Sequence, residues 1–486
     1  MLKVIGGVPD GLMKAIADGA VTSNKPVIIQ SDGTVADIDP TASSVPQSEG
    51  TPATFDTSTS YYQQAGFDST NNKVVITYRD VGTSSYGAVV VGTVNSNNSI
   101  TFGTRVIYQS SEQYDRCPVL FDPSNGKVII FFNNASLQPA AIVGTVSGNS
   151  ISFGSAVAFD TSQFLYTQAS AAFDTGNNKA VTCYYKSGSE SGAIVGTVSG
   201  TSISFGSVTN FYSGAANNTT MGYDSNAGKV IVTYQQGNSG LGCKVGTVSG
   251  TSISFGAETT INSGGNVRPS AVSYVSGADK TVVTYHDNDS ASTKGKAVVG
   301  TISGTSISFG SVTSFGNSAN IFNAVASPIT PNSVSIGYSD RDNSNYGTVI
   351  VGTVSGSSIS FNTKAAFTSE TTLNGGWGAA YDSNLGKVVF AYGGGTSAVG
   401  KAVAVQTAYS ATNLTEENYV GIAQNPASTG TPVKIGIIGS VVGNQTGLTA
   451  GEKYYVQGDG SLSTTPDSPS VLAGTAISAT QLVVKT

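Results

Sequence analysis

A segment that reads Gly-Thr-Val or Gly-Thr-Ile, then a short turn, then Ser-Ile-Ser-Phe or Ser-Ile-Thr-Phe occurs six times, its first glycine falling at Gly92, Gly144, Gly196, Gly246, Gly300 and Gly352. The spacings run from 50 to 54 residues, and a degenerate seventh copy is in phase at Ala404 within KAVAVQTAYS. A fixed period of this length limits the fold sharply, because a unit this small must bury its apolar face against the next copy of itself. Within residues 168–212 four short apolar runs are separated by turn residues: strand A (ASAAF), strand B (KAVTCYY), strand C (AIVGTVS) and strand D (SISFGSVTNFY). Four antiparallel strands per unit predict an all-β chain, each unit a blade of a seven-bladed β-propeller.

Register shows how such a ring would close. Phe55, Ile107, Phe159 and Phe211 are each 52 residues apart, so TPATFDTS matches SAVAFDTS and reads as a D strand that has no blade of its own. The last repeat has A, B and C but no Ser-Ile-Ser-Phe segment, so the N-terminal strand is expected to complete it, leaving no free sheet edge. The expected organisation is residues 1–49 and 408–486 as two parts of one small β module, with residues 50–407 as a propeller inserted between them. In the first part PDGLMKAIADG could form at best one short helix, while VIIQSDGTV and YYVQGDGSL are similar Asp-Gly hairpins expected to pair.

Alternating strand direction places the A–B and C–D turns at one end of every blade and the B–C loops at the other. The A–B turns repeat almost unchanged (FDSTNNK, FDPSNGK, FDTGNNK, YDSNAGK, YDSNLGK), whereas the B–C loops differ in every unit. Diverse loops on a rigid scaffold are where binding usually resides. The individual residues at that end, and the candidate ligand-binding set, are Tyr61, Tyr62, Arg79, Tyr86, Tyr114, Arg116, Tyr166, His286, Arg341, Tyr346 and Trp377, with Phe164 and Arg268 nearby. Aromatic faces beside Asp, Asn and Arg suit sugar rings or a polar protein partner; exposed loop residues without a function are the alternative. Six tyrosines closing strand B (Tyr78, Tyr184, Tyr234, Tyr285, Tyr338, Tyr392) read as packing between blades with the hydroxyl reaching water. The Asp and Lys of the A–B turn read as turn-shaping and edge-protecting residues.

Catalysis is not expected. The chain has one histidine, His286, read as a solvated loop residue, and the Asp-box of sialidase blades is absent. Asp340 with Asp342, and Asp287 with Asp289, have a spacing suited to a hard cation, but the turn glycine and distal Glu of a calcium loop are missing, so neither metal nor cofactor is assigned. Cys117, Cys183 and Cys243 read as buried thiols. A net charge of −6 provides no basic field for nucleic acid or anionic lipid, and no apolar run is long enough to cross a bilayer or to serve as a secretory signal. Synthesis in a cytosol is the expectation.

Pro26 to Val35 (PVIIQSDGTV) and Gly447 to Thr464 (GLTAGEKYYVQGDGSLST), followed by SPSVLAGTAISATQLVVKT, resemble the terminal modules of virion fibre and head-decoration proteins of tailed bacteriophages. The repeats resemble units of adhesion proteins of aquatic phages. The resemblance implies a non-enzymatic virion component made in the host cytoplasm. Other virion proteins would be its partners at the terminal module, with a host-surface glycan or protein at the propeller loops, and self-association is compatible with it. A purely structural shell-stabilising or spacer role is the alternative, and a propeller glycoside hydrolase a more remote one.

Overall fold

The computed structural model describes residues 4–8, 12–40, 43–45, 47–113, 116–160, 169–186, 190–237, 240–287, 294–329, 332–372, 375–407, 409–466 and 470–485. Their regular elements are antiparallel β-strands, apart from two single 3₁₀ turns at Val81–Thr83 and Arg341–Asn343. No helix among them is long and apolar enough to cross a membrane. The chain divides into two compact units, residues 48–407 and residues 1–47 with 408–486.

In the 48–407 unit each repeat forms the expected A-B-C-D sheet, with one elaboration. Strand D is two segments, both paired to strand C: in repeat 3, Ser202–Phe205 lies along one end of Glu190–Ser199 and Thr209–Tyr212 along the other. Strands B and C are continuous apolar runs, such as KVIIFFN and PAAIVGTVS in repeat 2, and they are buried on both faces. Both faces must therefore be covered by neighbours. Val89 of repeat 1 shares a core with Ile130 of repeat 2, Ile129 with Ala180 of repeat 3, Val195 with Val230 of repeat 4, and Ile231 with Ile307 of repeat 5. Val299 shares one with Ile336 of repeat 6, Val351 with Val388 of repeat 7, and Val389 of repeat 7 with Val74 and Ile76 of repeat 1.

The strand Ala53–Asp68 belongs to two sheets at once. Its first half pairs with Val399–Gln406 of repeat 7 as that repeat's missing D strand, and its second half pairs with Lys73–Asp80 as strand A of repeat 1. Glu49 and Ser48 extend the first pairing to Val405 and Gln406.

The invariant residues of the repeat have identifiable packing roles. The Gly of Gly-Thr must be glycine because the following Ile and Phe lie over it: a Cβ on Gly144 would stand 2.7 Å from Ile151 Cδ1 and 2.9 Å from the Phe153 ring. The Gly after Ser-Ile-Ser-Phe faces the next repeat. A Cβ on Gly103, Gly154, Gly206, Gly256 or Gly310 would overlap a backbone carbonyl oxygen in the C–D turn of the following sheet (Asn149, Thr201, Thr251, Thr305 and Ser357, respectively). Gly50 stands in the same relation to Asn98 O, so repeat 7 meets repeat 1 as the others meet each other. Repeat 6 alone carries Asn362 there, because repeat 7 lacks a C–D turn.

Lysines of the A–B turn do more than protect an edge. Lys73, Lys127, Lys179 and Lys229 donate from Nζ to the Thr of Gly-Thr on strand C, at 2.7 to 2.9 Å. Where repeat 7 has no such Thr, Lys387 reaches into repeat 1 instead and donates to the carbonyls of Asn95 and Ser96. The paired Asp shapes its turn: Asp122 Oδ1 accepts from the backbone N–H of Ser124 and Asn125. Strand-B tyrosines are at most 1% exposed. Their hydroxyls do not reach water as expected: Tyr78 donates to Asp56 at 2.8 Å, Tyr184 to Asp160 at 2.6 Å, and Tyr234 to Glu258.

The other unit contains two sheets that share one apolar core, including Ile28, Tyr419 and Ile422 from the first and Tyr454, Val471 and Leu482 from the second. The first runs Val4–Val8, Leu12–Ile16, Pro432–Gly436, Tyr419–Ala423, Pro26–Ile29, Val35–Asp37; the second runs Val441–Val442, Gln481–Val484, Val471–Ser478, Lys453–Val456, Leu462–Ser463. From Leu12–Ile16 onward the two orders correspond strand for strand. Gly421 and Gly474 occupy matching places, each so close to the next strand that a Cβ would overlap a backbone oxygen, of Gly436 and Val483 respectively. The Asp-Gly hairpins match too: Gly33 N–H donates to Gln30 O and Gly460 N–H to Gln457 O, both at 2.9 Å. These hairpins do not pair with each other but hold equivalent positions in separate sheets. Nor is Leu12–Ile16 helical, since its alternate burial has the two-residue period of a strand, with Met13 and Ala15 inward.

Replacing Gly206 by Ala should cost about 1–3 kcal/mol through forced separation of two sheets, whereas Asn362→Ala, which loses one side-chain bond to Val351 N–H, should cost no more than about 1 kcal/mol. Denaturant titration of the two variants checks the difference.

Candidate ligand-binding face

Strand A begins and strand B ends at the end of each sheet that carries the B–C loops. In four repeats the residue six places before the turn Asp, Val or Ile adopts a left-handed backbone: Tyr62 (φ +58°), Asn218 (+48°), Asn323 (+50°) and Gly376 (+87°). Arg116 and Pro269 are the equivalents in repeats 2 and 5. A bulge accompanies this conformation, as between Tyr61 and Gln64 or Asn217 and Thr220. The bulge re-aims the start of strand A.

Just inside lies a cavity of about 220 Å³ whose wall takes residues from strand A of all seven repeats, among them Gln64, Pro118, Ser170, Thr220, Ala271, Val325 and Gly378. Small side chains (Ala65, Ala171, Ala326, Ala379) keep it open, and Thr219, Thr220 and Ser270 make one side polar. Arg116 is the one charged residue among the described lining.

The structure brings together four of the residues singled out from the sequence. Arg116 and Trp377 line the cavity. Tyr61 and Tyr62 have ring centroids 6.3 Å apart, and Tyr62 N–H donates to Gly375 O. Gly375 and Gly376 are needed for this approach, since a Cβ on Gly376 would stand 3.2 Å from Tyr62 Cα and 3.5 Å from Arg116 Nε. Trp377 is fully buried rather than capping a surface, packed on Phe367 and Tyr392 at 5.7 and 5.5 Å.

His286 is a residue of strand Lys280–Asp287, not a solvated loop residue. Its Nε2 accepts from Ala324 N–H of the neighbouring repeat at 3.2 Å. Burial first, then the charges of Arg116 and Arg268, lower its pKa to about 3. It is thus neutral wherever the fold is intact.

Other candidates have local partners. Arg79 donates to Glu112 at 2.7 Å and to Ser85 Oγ at 2.9 Å. Arg341 is exposed on its 3₁₀ turn, and Tyr86 and Tyr346 begin strand C half-buried. The B–C loops of repeats 1 and 6 are not diverse as expected but share one conformation, each with an Asp (Asp80, Asp340) capping a 3₁₀ turn and two left-handed residues after it. Both capping carboxylates are buried and ion-paired, Asp80 with Arg105 and Asp340 with Lys364. Asp340 is therefore held by the Lys364 ammonium. Tyr114, Phe164, Tyr166 and Asp289 lie outside the described residues.

Sequence reasoning missed Asn218, Asn323, Thr219, Thr220 and Ser270. Counting back four to six residues from each A–B turn reaches all of them. That signal went unused because those residues are common loop types.

No protein-family model and no curated protein sequence matches this chain. Among solved structures, it is similar to a protein of unknown function from Dyadobacter fermentans DSM 18053 (11% identity, TM-score 0.45, covering 74% of this chain and 99% of that one). It is also similar to Raptor from Chaetomium thermophilum (10% identity, TM-score 0.47, covering 74% of this chain and 29% of that one).

The pKa of His286 carries a sign. The folded state holds the neutral ring while the unfolded chain takes up a proton below about 6.5, so stability falls as pH drops from there towards about 3. His286→Gln should lose less stability than the parent between pH 6.5 and 4, as read from denaturation midpoints across that range.

Proposed function

We propose that residues 48–407 form a closed seven-bladed β-propeller and that the protein is a structural component of a tailed-phage virion, a fibre or capsid-decorating protein. The terminal unit docks on the particle and the propeller is displayed to the host surface, where it binds glycan. The observation that carries this reading is the division of conserved and individual residues between the two ends of the sheets. At one end the A–B and C–D turns repeat in sequence and are locked by lysine and glycine contacts. At the other, equivalent positions hold Tyr62, Arg116, Asn218, Pro269, Asn323 and Gly376, a different chemistry in nearly every repeat.

Three further facts support it. Repeat 7 shares its core with repeat 1, and both sheets share the strand Ala53–Asp68. The first and last residues of the propeller unit lie at the stereotyped end, where Asn98 of a C–D turn donates to Ser48. The role is binding and not catalysis: His286, Asp80 and Asp340 are each committed to a structural partner. Multivalent display on a particle would offset weak single-site affinity.

A glycan array probed with the full-length protein should show selective binding to host surface polysaccharide; a blank array would remove the surface-display reading. Deletion of residues 1–47 removes four strands of the six-stranded sheet and should abolish incorporation into particles, as followed by immunoblot of purified virions. Normal incorporation would remove the terminal unit from the anchoring role.

A further inference from the structure

We propose that the cavity enclosed by the seven A strands is a binding site for the carboxylate-bearing end residue of an acidic glycan, with Arg116 receiving the carboxylate. This rests on the glycan-binding reading above and narrows it to one sugar class and one place.

Size is the first argument. A volume of about 220 Å³ corresponds to about seven water molecules at ~30 Å³ each. That has room for a single sugar residue entering end-on. The wall chemistry is the second. One cation stands among hydroxyl and amide groups (Ser170, Thr219, Thr220, Ser270, Gln64), and no described lining residue is acidic. Charge-assisted bonds from a guanidinium to a carboxylate are short, strong and bidentate. Hydroxyls and an amide suit the alcohols of the ring.

Unspent hydrogen-bonding capacity is the third and independent argument. Ser270 is 7% exposed and Trp377 is fully buried; both line the cavity, and neither Ser270 Oγ nor Trp377 Nε1 has a protein partner. A bound water or ligand group within the cavity would satisfy both. Electrostatics agrees, since Arg116 and Arg268 both act on His286, which stays neutral and adds no proton of its own. Tyr62, a bulky aromatic, has a left-handed backbone that packs against Gly376, which in turn lies beside Arg116. Strain of that kind concentrates where a ligand is held.

Trp377 is the sole tryptophan in the chain, so emission excited at wavelengths that tyrosine does not absorb reports on the cavity wall. Glucuronic, galacturonic and N-acetylneuraminic acids, titrated into the full-length protein, should each shift or quench the emission saturably with millimolar dissociation constants. Glucose, galactose and N-acetylglucosamine should bind at least tenfold more weakly. Arg116→Ala should weaken the acidic sugars at least tenfold, Arg116→Lys should restore part of the loss, and Ser270→Ala should weaken them without a change in melting temperature. An equal response to sodium acetate would mean that charge alone is sensed and would overturn the sugar assignment. Array binding that persists in Arg116→Ala, with Trp377 emission unmoved by any sugar acid, would overturn the cavity site while leaving surface glycan binding in place. Saturable emission changes with a blank array would uphold the site and remove the surface-display reading.

Discussion

Burial of strands B and C on both faces is the constraint from which the rest of the 48–407 unit follows. A sheet with one wet face can end anywhere, but a sheet whose two faces are both valine, isoleucine and alanine must have a neighbour on each side. Each such side chain left in water would forfeit about 1.5–3 kcal/mol. Repeats 2 to 6 are covered by the preceding and following copies. Repeats 1 and 7 are covered by each other, through Val74, Ile76, Val389 and Ala404, and the single strand Ala53–Asp68 ties their two sheets into one hydrogen-bonded array.

Close approach of the sheets explains which residues repeat. At the contact between each D strand and the following C–D turn the backbones meet with no room for a Cβ, so the residue is glycine six times. It becomes Asn362 once, where the opposing turn does not exist. Likewise the turn lysine of repeats 1 to 4 satisfies a threonine of its own sheet, and in repeat 7, without that threonine, it finds carbonyls in repeat 1. Residues with these duties cannot also vary to suit a ligand. Individuality is left to the start of strand A and the B–C loops.

The terminal unit repeats the logic on a smaller scale. Its two sheets have matching strand orders, matching hairpins and matching glycines, which describes one module present twice. In the second copy the hairpin is followed closely by the next strand, Val471–Ser478; in the first, the whole 48–407 unit comes between Val35–Asp37 and Tyr419–Ala423. Insertion at a loop is tolerated when the strands on either side still pair with their own neighbours, and they do here, Val27 with Gly421 as Tyr454 with Gly474.

Periodicity made the strands, the repeat boundaries and the strand shared between repeats 1 and 7 legible in the sequence, because each depends on local alternation, turn residues and register. Tyr61, Tyr62, Arg116 and Trp377 stood out among the candidate residues because their chemistry differs from that of the small polar residues around them in the chain. What the sequence concealed depends on groups far apart along it. The cavity wall takes two to four residues from each of seven distant segments, the lysine–threonine bridges span about 18 residues, and His286 owes its neutrality to burial and to Arg116 and Arg268, both distant in the chain. Thr219, Thr220 and Ser270 look like ordinary turn residues until folding places them around a common space. A residue's own chemistry and spacing are written in the chain, but its surroundings exist only once the sheets have packed.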